Sequence, residues 1–180
     1  MPGILSIDEI PQLSTNRLQL CALSAEVFPL YREFYTDPEA SRFYSGPISE
    51  AAAWSRLSAD LGSWFLQGFG VWAIRRKADQ RYLGVCGFWQ GLGWPRELTW
   101  WLSTEARGQG YALEASRAAI RHAYQVWQWP TVQTYMNDDN LAAQALVQRL
   151  GGIAEQRQTF VDGLSRQIYR LPLPADEDVV

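Results

Sequence analysis

Polar and apolar residues alternate through "NRLQLCAL" (16–23), which predicts a β-strand. The period then lengthens. Residues 24–35 predict a helix with Ser24 as N-cap, followed by a turn and a short helical piece in "TDPEASRFY". From Ser49 to Gly68, Ala53, Trp54, Leu57, Leu61, Trp64 and Phe65 recur at helical spacing behind the candidate cap Ser49. A period of two returns in 70–77, 82–92 and 96–103, with turns at Asp79-Gln80 and Gly93-Trp94-Pro95. Three neighbouring strands with short turns predict an antiparallel meander. A helix over 110–127, closed by Pro130, leads to a strand over 131–136. The next helix starts at Asp138 or Asp139 and ends at Gly151, and two last strands, about 153–160 and 164–171, flank Asp162-Gly163. The order is β-α-α-β-β-β-α-β-α-β-β. Its central β-α-β unit requires strands 96–103 and 131–136 to be parallel within a largely antiparallel sheet.

The 180 residues are 47% apolar and 19% charged, which fits one globular domain over 1–174 with a frayed acidic tail over 175–180. Nine Trp supply much of the expected core and cleft surface. Net charge is -3 with no basic block, so nucleic acid is excluded as the main partner. One His and two isolated Cys make no metal set; Cys21 and Cys86 read as small core residues and His122 as a boundary residue on a helix. Neither a signal peptide nor an apolar run of ~20 residues is recognisable, so a cytoplasmic protein without membrane contact is expected.

The chemistry concentrates in "EARGQGYALEAS" (105–116). Each glycine inside a helix costs about 1 kcal/mol against alanine, so Arg107-Gly108-Gln109-Gly110 reads as a tight loop that opens a helix. First-turn N–H groups lack internal partners and carry partial positive charge. Glycines let a ligand approach them, and Arg107 adds a formal charge. Together they suit a phosphate or pyrophosphate. A P-loop would need Lys-Ser or Lys-Thr where Tyr111-Ala112 stand, and a dinucleotide fingerprint would need a third glycine. The pattern met is Arg-x-x-Gly-x-Ala, as Arg107, Gly110 and Ala112.

This stretch resembles the acetyl-coenzyme A signature of the GNAT N-acetyltransferases. "ELTWWL...ARGQGYALEA", with "TNRLQL", "GFGVWAI" and "NLAAQALVQRLG", is similar to the RimJ/RimL type over about 15–171. The resemblance implies a mixed α/β fold: a mostly antiparallel sheet of about seven strands, one parallel pair splayed apart, and about four flanking helices. It implies acetyl-CoA as cosubstrate and an amine acceptor, either a protein N-terminus or a small molecule. By the same resemblance, the backbone of Gly108, Gln109, Gly110, Tyr111, Ala112 and Leu113, with Arg107, would hold the pyrophosphate. Trp100, Trp101, Leu102 and Ser103 would bind the pantetheine arm as an added strand, and Asn140 would touch the cofactor. Glu97 would be the general base. The N–H of Trp101 or Leu102, with Leu102 preferred, would face the oxyanion.

Two positions depart from the family pattern. Ala143 and Val147 stand where relatives place a Ser or Tyr proposed to protonate the thiolate, leaving water, Tyr111 or Tyr135 as proton sources. A non-catalytic acyl-CoA-binding module, and an O-acetyl or longer-acyl transferase, are the rival readings. Exposed edge strands of such an architecture are compatible with a homodimer.

Overall fold

The computed structural model describes residues 6–175. Eight strands and four α-helices run in the order β1 (Leu13–Ser14), β2 (Leu18–Cys21), α1 (Phe28–Thr36), α2 (Glu50–Gln67), β3 (Val71–Arg76), β4 (Tyr82–Trp89), β5 (Glu97–Leu102), α3 (Tyr111–Gln125), β6 (Val132–Tyr135), α4 (Leu141–Arg149), β7 (Ile153–Thr159) and β8 (Ser165–Leu171). The meander is present: β1-β2-β3-β4-β5 form one antiparallel sheet, and β6-β8-β7 form a second, also antiparallel. No helix is long and apolar enough to cross a membrane among the described residues. The expected frayed tail lies outside the described residues except Ala175, whose carbonyl accepts from Arg121 at 3.0 Å.

The local signals act through ordinary capping. Ser49 Oγ accepts from Ala52 N–H at 3.1 Å to start α2, and Gly68 ends it in the left-handed region at φ 77°. Ser24 also caps, accepting from Glu26 N–H, but the turn it opens (Ala25–Val27) is 3-10, and α1 begins only at Phe28. The predicted cap of α4 is displaced: Asn140, not Asp138 or Asp139, accepts from Ala143 N–H at 3.2 Å.

Two apolar layers sandwich the first sheet. On one face α3 packs on Leu18, Leu20, Trp72, Ile74, Leu98 and Leu102. On the other, α1 and α2 pack on Val71, Ala73, Val85 and Trp101. The alternation of β5 sorts these residues: Leu98 and Leu102 face α3, while Trp101 stacks on Phe34 at 4.1 Å between centroids, 12° apart in plane. Trp54 leaves the expected core face and stays half exposed beside Phe28, because Ala53, Leu57 and Trp64 already fill the buried side of α2. Cys86 is buried in the core, and its thiol is pushed up to about 12 by burial. His122 is half-buried, as expected of a boundary residue, edge-on to Trp72 and Trp127.

β5 and β6 are the pair expected to be parallel, and they belong to different sheets. Side chains bridge between them instead: Thr134 Oγ1 donates to Leu98 O at 2.8 Å and Gln133 Nε2 to Arg96 O at 3.1 Å. The splay opens one side of β5.

Candidate active site

The loop between β5 and α3 begins with a single 3-10 turn, Thr104–Ala106, and then turns at Gly108 (φ 73°) and Gly110 (φ 80°). A Cβ at Gly108 would meet nothing within 4 Å, so the loop surface is open. The first helical hydrogen bond of α3 runs from Glu114 N–H to Gly110 O at 3.1 Å. The backbone N–H groups of Gly108, Gln109, Gly110, Tyr111, Ala112 and Leu113 donate to no described residue. Unmade hydrogen bonds on consecutive amides at a helix N-terminus form a ready anion cradle.

The cradle is braced from behind by Arg17. Its guanidinium donates to Gln109 O at 2.9 Å and to Glu114 Oε2 at 2.7 Å, and lies 4.5 Å above the Tyr111 ring. Arg17 N–H and Thr15 Oγ1 also donate to Glu114. Burial alone would raise the Glu114 pKa; these hydrogen bonds and the Arg17 charge bring it below its usual value. Holding the Gln109 carbonyl inward leaves the neighbouring amides pointing out. Arg17 was visible in the sequence only as part of "TNRLQL". Arg107 turns back, donating from Nε to Leu102 O at 3.4 Å.

From the cradle the open side of β5 continues the site. Ser103 N–H is spent on Leu83 O at 2.8 Å, and Trp101 O lies against Gly84 of β4. Strand alternation therefore turns the N–H and C=O of Leu98, Trp100 and Leu102 towards the splayed gap, and those of Trp101 and Ser103 towards β4. The carbonyls facing the gap are met by side chains: Thr134 on Leu98, Tyr44 Oη on Trp100 and Arg107 on Leu102. The Trp101 side chain sits in the core on α1, away from the gap.

The gap widens into a cleft of about 410 Å3 that brings together Glu97, Thr99, Trp100, Tyr135, Asn140 and Ala143. The loop after α1 (Arg42 to Ser45), Arg56 of α2, Trp89, Trp94 and the β7–β8 hairpin (Asp162, Leu164, Arg166) complete its wall. Val147 lies in the core and has no place in the cleft; a Cβ at Gly152 would come within 2.4 Å of its Cγ1. Of the proton sources weighed in the sequence, Tyr111 is buried under Arg17 with its hydroxyl accepting from Arg76, whereas Tyr135 reaches the cleft and donates to Pro95 O at 2.8 Å. Tyr44 ends the aromatic-rich stretch "YREFYTDPEASRFY", which the family resemblance places at the acceptor pocket, and it lines the cleft.

Glu97 keeps a path to solvent through the cleft, yet protein surrounds its carboxyl. Burial raises its pKa to about 8, against the lowering influence of Arg166, Arg56 and hydrogen bonding with Tyr135. Arg166 is itself fully engaged. Its Nε donates to Asn137 Oδ1 at 2.9 Å, its terminal nitrogens donate to Asp162 at 3.0 and 2.7 Å, and its plane lies near the Trp94 and Phe160 rings. No group able to hold a metal ion is present among the described residues.

Residues 17–153 match the acetyltransferase (GNAT) domain family. An acetyltransferase from Agrobacterium tumefaciens C58 has the same fold at a TM-score of 0.83 and 30% identity, over 91% of this chain and 95% of that one. The RimL ribosomal L7/L12 α-N-protein acetyltransferase, in a structure with coenzyme A, superimposes at a TM-score of 0.70 with 14% identity, covering 89% of this chain and 97% of its own. The uncharacterized protein YkkB of Bacillus subtilis strain 168 is 23% identical over 151 residues, 78% of this chain and 84% of YkkB. The chain belongs to the GNAT acetyltransferase family, is an acyltransferase, and shares its fold with RimL-type members.

Proposed function

We propose that the protein is a cytoplasmic N-acetyltransferase that moves an acetyl group from acetyl-CoA to a primary amine by direct attack in a ternary complex. The observation that carries this reading is that free amides and the cleft lie along the same strand and the loop that follows it. The unbonded amides from Gly108 to Leu113 follow the end of β5, whose gap-facing residues are Trp100 and Leu102, and the same strand carries Glu97, with its raised pKa, in the cleft.

Acetyl transfer from a thioester to an amine needs an anion site for the cosubstrate, alignment, an oxyanion donor and a base. The amides of Gly108 to Leu113 receive the pyrophosphate, oriented by the Arg17 brace. Trp100 and Leu102 offer backbone groups to the pantetheine arm, and Leu102 N–H is the oxyanion donor. Trp101 is excluded from that role by its orientation, and Ser103 contributes no N–H because Leu83 accepts it. Arg107 acts by fixing Leu102 through its carbonyl and by adding charge near the cradle. Asn140 uses its side-chain oxygen to cap α4, and its amide nitrogen is the donor it offers the cosubstrate.

Glu97 takes the proton from the attacking amine, directly or through water. A base near 8 is matched to an ammonium acceptor better than an ordinary carboxylate near 4.5 would be. The exposed edge strand β7 is the surface through which a homodimer would form.

The test is a stoichiometric assay. Purified protein, acetyl-CoA and a panel of primary amines should release free thiol in equal amount to the acetylated amine seen by mass spectrometry. Thiol release no faster than without acceptor, with acetyl-CoA still bound, would instead support a non-catalytic acyl-CoA-binding module. Faster turnover with longer acyl-CoA would overturn the acetyl assignment.

A further inference from the structure

Three arginines line the cleft, Arg42, Arg56 and Arg166, and the last two differ in their partners. Arg166 has every side-chain nitrogen hydrogen-bonded. Arg56 has none. Its Nε is shut off from solvent without a hydrogen-bond partner, and its terminal nitrogens donate to no described residue. Its ion pair among the described residues is with Asp60, at 3.5 Å from Nε and already holding the Tyr31 hydroxyl at 2.8 Å, and its charge also acts on Glu97. A guanidinium is built to grip a carboxylate with two parallel N–H groups, and that fork is left open here. It is held in place by the Tyr35 and Trp89 rings, at 5.7 and 6.0 Å from their centroids.

The fork sits next to the chemistry. Trp89 is the cross-strand partner of Glu97 on the β4–β5 ladder, so Arg56, Trp89 and Glu97 share one corner of the cleft. Beside them Trp94 stacks parallel to Tyr135 at 6.2 Å and meets Trp89 edge-on at 5.9 Å, forming an apolar aromatic wall. A cleft of about 410 Å3 is of small-molecule size.

We propose that the acceptor is a free α-amino acid with an apolar or aromatic side chain: its carboxylate is received by Arg56, its side chain by the Trp89–Trp94 wall, and its amino group by Glu97. This rests on the N-acetyltransferase reading. It separates free amino acids from protein N-termini, which carry an amide where the free acid carries its carboxylate. The amino group attacks in its neutral form: the nitrogen forms the new amide bond to the acetyl carbon, the thioester C–S bond breaks, and the one N–H proton released passes to Glu97 as CoA leaves as the thiolate.

The experiment compares L-phenylalanine with L-phenylalaninamide on CoA-loaded protein, followed by Trp fluorescence, for wild type, Arg56→Gln and Arg56→Lys. Wild type should bind the acid at least about tenfold tighter than the amide. Arg56→Gln should bring the ratio near one with CoA affinity unchanged, and Arg56→Lys should restore part of it. Equal binding of acid and amide, a ratio that survives in Arg56→Gln, or no binding of either at ten-millimolar levels (~10 mM) would overturn the assignment. Acetyl transfer is measured in parallel. Turnover of phenylalaninamide or benzylamine without preference for acids removes only the acceptor assignment. Selective binding of the acid without transfer to any amine removes the transferase reading and leaves an amino-acid-binding site.

Discussion

Replacing Glu97 by Gln tests the electrostatics of the cleft without any ligand. The glutamine stands in for the protonated acid at equal size. Burial raises the Glu97 pKa from 4.5 to about 8 in the folded chain. The native state therefore holds the proton more tightly than the unfolded state does. The stability from this group is full below about 4.5 and is lost as pH rises through 8. At ~1.4 kcal/mol per pKa unit the loss is about 5 kcal/mol. At roughly 2–4 °C per kcal/mol for a chain of this size, Glu97→Gln should melt on the order of 10 °C above wild type at pH 9, and close to it at pH 5. Thermal melts of both proteins at the two pH values read the gap directly. A gap that does not change with pH would refute a buried carboxyl with a raised pKa. The same titration predicts activity: about one tenth of Glu97 is ionised at pH 7 and about nine tenths at pH 9. Wild-type kcat/KM should carry an inflection near 8 that Glu97→Gln lacks.

Other substitutions probe separate links. A Cβ at Gly84 would lie 2.0 Å from Trp101 O, forcing β4 off β5, so Gly84→Ala should cost more than about 3 kcal/mol in denaturant melts; an unchanged midpoint would show that the strands can part cheaply. Gly110 holds φ 80°, outside the proline range, and offers a free N–H, so Gly110→Pro should weaken acetyl-CoA binding by more than about tenfold in calorimetry; retained affinity would remove the loop from the site. Arg17→Ala frees the Gln109 carbonyl and the Glu114 carboxylate, and should weaken acetyl-CoA by roughly tenfold with kcat little changed, since its exposed side chain moderates the effect. Cys86 should resist thiol reagents at neutral pH until the protein unfolds; fast labelling of native protein would contradict its burial.

Legibility in the sequence followed the range of the interactions. Ser49, Gly68 and the double glycine before α3 act within four residues, and their elements stand where periodicity puts them. β1 has only Leu13–Ser14, too short to show a period, and it exists because β2 offers an edge. In "NDDN" four residues able to cap stand together, and only Asn140 starts α4 so that Ala143, Leu146 and Val147 are buried. The separation of β5 from β6 is a tertiary event that no local pattern records. The glycine loop before a helix led to the cradle, and the resemblance to Glu97 and Asn140. The resemblance gave no means of seeing that Trp101 and Ser103 turn to β4, or that Arg56, an ordinary polar position on an amphipathic helix, looks into the cleft without a hydrogen-bond partner.

The most direct measurement is a titration of the protein with acetyl-CoA, followed by Trp fluorescence and checked by calorimetry, since Trp100 lines the cleft. One saturable site, competed by CoA and lost in Gly110→Pro, is the expected result. Absence of binding at millimolar acetyl-CoA would contradict the assignment of the Gly108–Leu113 amides, and with it the transfer chemistry built on them.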